Sequence, residues 1–351
     1  MKSQIKFHKV LLKKKFPLAI SRGIKGDSYN LFLSYEKDGL IGWGEAAPGK
    51  NENAETVEEI QNQLDAFLKQ GIESKTTEEL NKRAKQMGIA PCAYAALDIS
   101  LWDWKAKKAK LPLHQLLGFP QPTVPTSLTL GIIPPEQVRE RVQLMFKNSS
   151  AKALKIKLGS PQGIEADQQI FSKVLENVKK YQLKIRVDAN GGWSTKEAIF
   201  MMKWLAERGV EYIEQPLEEG QESELQYIYS NRPLPIYIDE SCRYAENVGK
   251  WANYIDGINM KLMKCGGITE ALLIIRNAKK YKLKTMIGCM SESSISIAAA
   301  AALSGVIDQI DLDSQYNLVP DPAMGIQLIN GVTTPDFVPG HGAKLKPEYH
   351  A

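Results

Sequence analysis

The sequence is short of the residues on which several kinds of protein depend. Four cysteines (Cys92, Cys242, Cys265, Cys289) are scattered through 351 residues without a C-x-x-C pair. That argues against a zinc cluster or a disulfide framework and fits a reducing cytoplasm. Histidine is as scarce: His8, His114, His341 and His350 fall outside the segments that carry the other polar residues of interest, and neither a Ser-His-Asp order nor a G-x-S-x-G elbow is legible. Long apolar runs are missing too. The longest, Ile295 to Leu303, is too short and too rich in alanine to cross a bilayer, and the basic start MKSQIKFHKVLLKKKF lacks the apolar stretch and cleavage site of a signal peptide. Nor does one sign of charge dominate. The 45 basic and 40 acidic residues are spread along the chain, with no basic stripe interleaved with aromatics. Neither nucleic acid nor membrane is an expected partner; a small-molecule substrate is, and homo-oligomerisation stays open.

What is present suits a soluble protein with a large core: 43% hydrophobic and 24% charged residues. The length exceeds one ordinary domain and accommodates a barrel plus a smaller unit. From Gln4 to Trp43 short alternating apolar runs, broken by Gly23, Gly26, Asp38-Gly39 and Gly42, predict an antiparallel meander. From Ala54 to Leu117 the period becomes helical, most clearly in PCAYAALDISLWDWKAKKAKLPLHQLLG. Residues 1–120 are thus expected to form an α+β unit, ending at the proline-bearing segment Phe119–Val124.

Beyond it β-branched runs alternate with helix-like segments: TSLTLG, ALKIKLG, KIRVDAN, VEYIEQP, PIYIDES, GINMKLM, KTMIGCM and DQIDLDS. This alternation predicts an α/β fold, a (β/α)₈-type barrel of the (β/α)₇β form, over residues 121–318. A doubly wound sheet would want a glycine-rich phosphate loop after its first strand, and TLGIIPP is not one. Residues 319–351, rich in proline, are expected to pack back on the first unit.

Catalytic groups of such barrels sit at the C-terminal ends of the strands. Here those ends are charged: Lys155-Ile-Lys157, Asp188-Ala-Asn190, Glu214-Gln-Pro, Asp239-Glu240-Ser, Lys261 and Asp311-Leu-Asp313. Any one acid alone would ordinarily cap a helix or pair with a lysine. Asp188, Glu214 and Asp239, from three consecutive strands, would converge and repel one another unless a cation joined them, and all-oxygen ligation suits Mg²⁺. Lys155 and Lys157, two apart on a strand, both face the barrel interior. Burial and a neighbouring positive charge would lower their pKa towards the range of a general base. Lys261 would lie across the mouth from Lys157. It is preferred to Lys264, which already adjoins Cys265-Gly266-Gly267. Asp311 and Asp313 would project to one face and form a receptor for an ammonium group.

The set KIK, DAN, EQP, DES and NMKLMKCGG resembles the muconate-lactonizing subgroup of the enolase superfamily, and GWGEAAP and AALDISLWDWKAKKAKLPLHQLLG resemble its capping domain. Within the subgroup the chain is most similar to dipeptide epimerases, especially alanyl-glutamate epimerases, through AISRG, DESC, NMKLMKCGGITEAL, GCMSES and DLD. The resemblance implies Mg²⁺ held by Asp188, Glu214 and Asp239, with Lys157 and Lys261 as the two acid/bases of a 1,1-proton transfer through an enediolate. It further implies Lys155 beside Lys157 and against the substrate carboxylate, Asn190 and Glu240 orienting ligands, and Arg22 facing the acidic side chain of an L-Ala-D/L-Glu-like dipeptide. The alternatives on the same groups are o-succinylbenzoate synthesis, N-acylamino acid racemisation and muconate cycloisomerisation, none of which needs Asp311 and Asp313 together.

Overall fold

The computed structural model describes residues 3–350. Strands β1 (Gln4–Leu12), β4 (Ser28–Lys37) and β5 (Leu40–Ala46) form an antiparallel sheet in that order, while β2 (Leu18–Ile20) and β3 (Gly23–Lys25) leave it as a separate hairpin. The segment is therefore not one continuous meander. β1 pairs directly with β4, from Gln4↔Glu36 to Leu12↔Ser28, and the intervening residues project away from the sheet.

Three helices cover one face: α1 (Val57–Leu68), α2 (Thr77–Gln86) and α3 (Pro91–Ala109). Reciprocal Thr76 and Glu79 hydrogen bonds start α2; Pro91 opens α3 where its missing N–H is not needed, and Lys110 closes α3 in the left-handed conformation. α3 lies hard against β5. A Cβ on Gly42 would stand 2.0 Å from the Ser100 carbonyl oxygen, and one on Gly44 1.9 Å from that of Ala96.

Eight parallel strands follow: β6 (Ser127–Leu130), β7 (Ala153–Lys157), β8 (Lys184–Asp188), β9 (Val210–Glu214), β10 (Ile236–Ile238), β11 (Gly257–Lys261), β12 (Lys284–Gly288) and β13 (Gln309–Asp311). They neighbour one another in chain order, and a parallel bridge between Thr126 and Ile310 joins the last to the first. The outer layer is irregular. After β10 it shrinks to the 3₁₀ turn Ala245–Asn247, and after β13 to Ser314–Asn317. Near that flank lie the antiparallel pairs β14 (Ala323–Met324) with β17 (Lys344–Leu345) and β15 (Ile326–Ile329) with β16 (Val332–Pro335). Leu318, Ala323, Ala343 and Leu345 share a small core with Val10, Leu12, Phe32 and Trp43 of the first sheet. No helix of the described residues is long and apolar enough to cross a membrane.

Candidate active site

Strand register sets the level of the site. Lys157 pairs with Asp188 and Asp188 with Glu214, while Lys261 pairs with Gly288 and Gly288 with Asp311, so these side chains form one layer at the C-terminal end of the barrel. β7 and β11 are four places apart in the eight-strand ring, which puts Lys157 and Lys261 on opposite sides. Gly288 leaves room for the latter; a Cβ there would come within 3.1 Å of Lys261 Cε.

The layer floors a cavity of about 1040 Å³ lined by Arg22, Lys155, Lys157, Asn190, Asp239, Glu240, Lys261, Asp311 and Asp313, with Phe16, Leu18, Ile20, Ile24 and Met290 among the apolar residues towards its rim. Asp188 and Glu214 are buried behind the lysines and do not line it.

As the side chains stand, each acid grips a lysine. Lys157 Nζ donates to Asp188 Oδ2 at 2.5 Å, Lys155 to Glu214 Oε2 at 3.1 Å and to Asp311, and Lys261 to Asp239 Oδ2 at 2.6 Å. Among the described residues no three acidic, histidine or cysteine side chains are gathered tightly enough to hold an ion in this arrangement. The chemistry of the donors nevertheless fits a hard cation. Buried oxygens of Asn190, Glu240, Asn259 and Asp311 have no hydrogen-bond partner, and burial together with Asp188 pushes the Glu214 carboxyl up to about 7. An excess of oxygen acceptors and of negative charge is what a divalent ion relieves.

The lysines do not behave as burial alone predicts. Desolvation pulls the Lys155 and Lys261 pKa values down, but Asp311, Glu214 and Asp188 around the first and Asp239 beside the second outweigh it and raise both. Their neighbouring charge, unlike their burial, cannot be read from spacing. Lys264 is the better-tethered lysine: its Nζ donates to the Asp239 carbonyl, to Asp239 Oδ1 at 2.7 Å and to the Asn259 carbonyl at 2.8 Å. Three acceptors use all three ammonium hydrogens. Lys261 has the single acceptor Asp239 and hydrogens to spare.

At β13, Asp311 Oδ1 is buried without a hydrogen-bond partner, and Asp311 lines the cavity with Asp313, whose carboxyl burial and the Asp311 charge push up to about 7. Arg22, at the turn of the β2–β3 hairpin, donates to the Asn190 carbonyl at 2.7 Å and to Glu240.

A model described as mandelate racemase / muconate lactonizing enzyme, N-terminal domain, matches residues 2–118, and one described as enolase C-terminal domain-like matches 137–349. The chain belongs to the mandelate racemase / muconate lactonizing enzyme family of the enolase superfamily. It is 61% identical over 345 residues to a hydrophobic dipeptide epimerase of Flavobacteria bacterium (strain MS024-2A), covering 98% of this chain and 99% of the relative. The dipeptide epimerase of Enterococcus faecalis V583, solved with Mg and L-Leu-L-Tyr, superposes with a TM-score of 0.88 at 34% identity, covering 98% and 99% of the two chains. The L-Ala-D/L-Glu epimerase of Bacillus subtilis in a substrate-liganded complex gives 0.90 at 26%, covering 97% and 98%.

In this family member several residues around the site were not anticipated from sequence. Asn259 donates to Glu214 Oε1 at 2.7 Å, and Gln215 Oε1 accepts from the Asp239 N–H at 2.8 Å. The period-2 argument that marks Lys155 beside Lys157 equally marks Asn259 beside Lys261. Glu52 and Arg243, 3.1 Å apart, join the loop after β5 to the loop after β10, and no local pattern signals that. Glu45 is buried at the end of β5 and accepts from Asn30, Ser293 and the Ser296 N–H, capping the helix Ser294–Ala301 that follows β12.

Proposed function

We propose that the chain is a Mg²⁺-dependent dipeptide epimerase that inverts the α-carbon of the C-terminal residue by two-lysine proton transfer. The observation that carries this reading is the placement of the Lys157 and Lys261 amines on opposite sides of one acid-lined mouth. Asp188, Glu214 and Asp239 are the residues that would hold the ion. Bound there, it supplies Lewis-acid stabilisation of the charge that builds on the substrate carboxylate.

The chain's own groups do the rest. One lysine, neutral at the start, takes the α-proton from its face; the other, an ammonium, returns a proton from the opposite face, so the substrate passes through an enediolate and the centre inverts. Lys155 contacts the carboxylate and offsets the negative charge of Glu214 and Asp311. Asp311 and Asp313 receive the substrate ammonium. A buried acid with an unpaired oxygen beside a half-buried one is of no use to an N-acyl amino acid or a muconate, so the alternative reactions of the scaffold are not favoured.

For the C-terminal side chain we place an apolar group against Phe16, Leu18, Ile20 and Ile24. Arg22 remains the residue that would meet an acidic side chain, but Glu240 already engages it, and the 61% relative is named for hydrophobic dipeptides. Four free cysteines support a cytoplasmic location. The test is a dipeptide library incubated with Mg²⁺ in deuterated solvent. Deuterium entering the C-terminal α-position with loss of configuration is expected; no exchange in any dipeptide would end the reading.

A further inference from the structure

The segment AALDISLW places an aspartate inside an otherwise apolar stretch of α3, and the proton-transfer chemistry does not use it. Asp98 is fully buried and reaches out of the N-terminal unit to the barrel. Its Oδ2 accepts from the Thr269 N–H at 2.9 Å and its Oδ1 from Thr269 Oγ1 at 2.5 Å. Trp102, one helical turn along α3, donates from Nε1 to the same hydroxyl at 2.9 Å. The carboxylate therefore starts the helix Ile268–Lys280 from a different part of the chain, where a residue of the preceding loop would ordinarily do so.

What precedes that helix gives the contact its reach. Lys261 ends β11 and is followed at once by one helical turn, Leu262–Cys265, and by Gly266 and Gly267, both at positive φ. The N–H groups of both glycines turn back to the Leu262 carbonyl at 2.9 Å. Gly267 is jammed against the acid, since a Cβ there would lie 2.5 Å from Asp98 Oδ2. Lys264, inside this turn, is tied to Asp239 and to Asn259. From Asp98 the path runs by hydrogen bonds to Thr269, along the buried backbone to Gly267, where there is no room for a side chain beside the acid, and by the glycine N–H groups to the turn behind Lys261. Lys157, on the far side of the ring, is followed by Leu158 and Gly159, which bond to the Asp188 carbonyl and to Asp167, both within the barrel.

We propose that Asp98 is a positioning residue for Lys261 and not for Lys157, so that this contact from α3 sets the geometry of one of the two proton-transfer faces. This rests on the two-lysine reading. A residue that only glued two domains together would affect both faces alike.

The experiment uses the two single-lysine enzymes with Mg²⁺, in which exchange of the substrate α-proton with deuterated solvent reports the remaining lysine alone. Asp98→Asn is expected to slow exchange at least tenfold in the Lys157→Ala enzyme, where Lys261 acts, and to change it less than twofold in the Lys261→Ala enzyme. Thr269→Val keeps the backbone N–H and removes the hydroxyl. It is the gentler variant should Asp98→Asn fold poorly, and should show the same asymmetry with smaller amplitude. Equal losses in the two backgrounds, or no loss in either, would overturn the assignment. If neither single-lysine enzyme exchanges any α-proton although both melt cooperatively, the two-lysine reading itself fails and takes the role of Asp98 with it.

Discussion

Lys261 and Lys264 hold the two oxygens of one carboxylate: Lys261 Nζ lies 2.6 Å from Asp239 Oδ2 and Lys264 Nζ 2.7 Å from Oδ1. Their remaining partners divide the work between them. Lys264→Met takes the ammonium from Asp239 Oδ1 and the Asn259 carbonyl and leaves the Asp239 carbonyl only the Cys242 N–H, and is expected to lower stability by about 3–5 kcal/mol. Lys261→Ala removes one donor where Lys264→Met removes three, so it should melt nearer the parent but lose epimerisation by roughly 10²–10⁴-fold, the contribution of a positioned acid/base. Melting curves and turnover measured on both variants check this. Normal epimerisation by Lys261→Ala would move the role to Lys264.

The ammonium-receptor role proposed for the acids at the end of β13 can be tested on the substrate. Asp311 Oδ1 has no hydrogen-bond partner, and burial, with the Asp311 charge adding to it, pushes the Asp313 carboxyl up to about 7. An ammonium between them would supply hydrogen bonds and cancel the repulsion. N-acetylating an active dipeptide, or converting both residues to asparagine, is expected to cut kcat/KM more than about tenfold. Equal turnover of the free and acetylated substrates would favour an N-acylamino acid racemase.

Chelation should abolish activity and Mg²⁺ restore it. A second readout is independent of turnover: an ion that binds only the folded chain stabilises it by about 2.7 kcal/mol at a hundred times its Kd. Thermal melts in chelator and in excess Mg²⁺ are expected to differ accordingly, and the difference should vanish in Asp188→Asn with Asp239→Asn. A melting temperature indifferent to Mg²⁺ would contradict the ligand set.

Glu45 makes stability depend on pH. Burial pushes its carboxyl up from the ordinary value to about 7, against the donors from Ser293 and Asn30 and with Glu292 adding to the rise. Between about pH 4 and pH 7 the folded chain keeps a proton that the unfolded chain has released. This contribution is therefore full below the unfolded pKa and is lost as pH rises through about 7. Glu45→Gln mimics the protonated form, so its melting temperature should gain on the parent between pH 5 and pH 8. A parent that gains instead would mean that the ionised form, with its several donors, is the stable one.

Legibility from sequence followed the range of the interactions. The barrel strands and their charged ends could be read because strand periodicity is local and the fold sends those ends to one place. The β2–β3 hairpin was hidden inside the expected meander, since alternation shows that residues are extended and not which strand they pair with. The shortened outer layer after β10 was missed for a similar reason: the loop there is secured by Glu52, Lys85 and Glu270, remote in sequence. Asp98 was visible as an acid in an apolar run, but Thr269 lies 171 positions away. The raised lysine pKa values depend on which carboxylates crowd each amine, a property of the assembled mouth.

The contact between β5 and α3 has a consequence for reading sequence variation. Gly42 and Gly44 touch the Ser100 and Ala96 carbonyls so closely that even a methyl group would force strand and helix apart. Neither glycine lines the cavity. In a saturation screen scored by turnover, both positions would reject every other residue and look like members of the active site. Scored by the amount of folded protein, they would separate at once from Lys157 and Lys261: the glycine variants vanish from the soluble fraction, and the lysine variants accumulate there inactive.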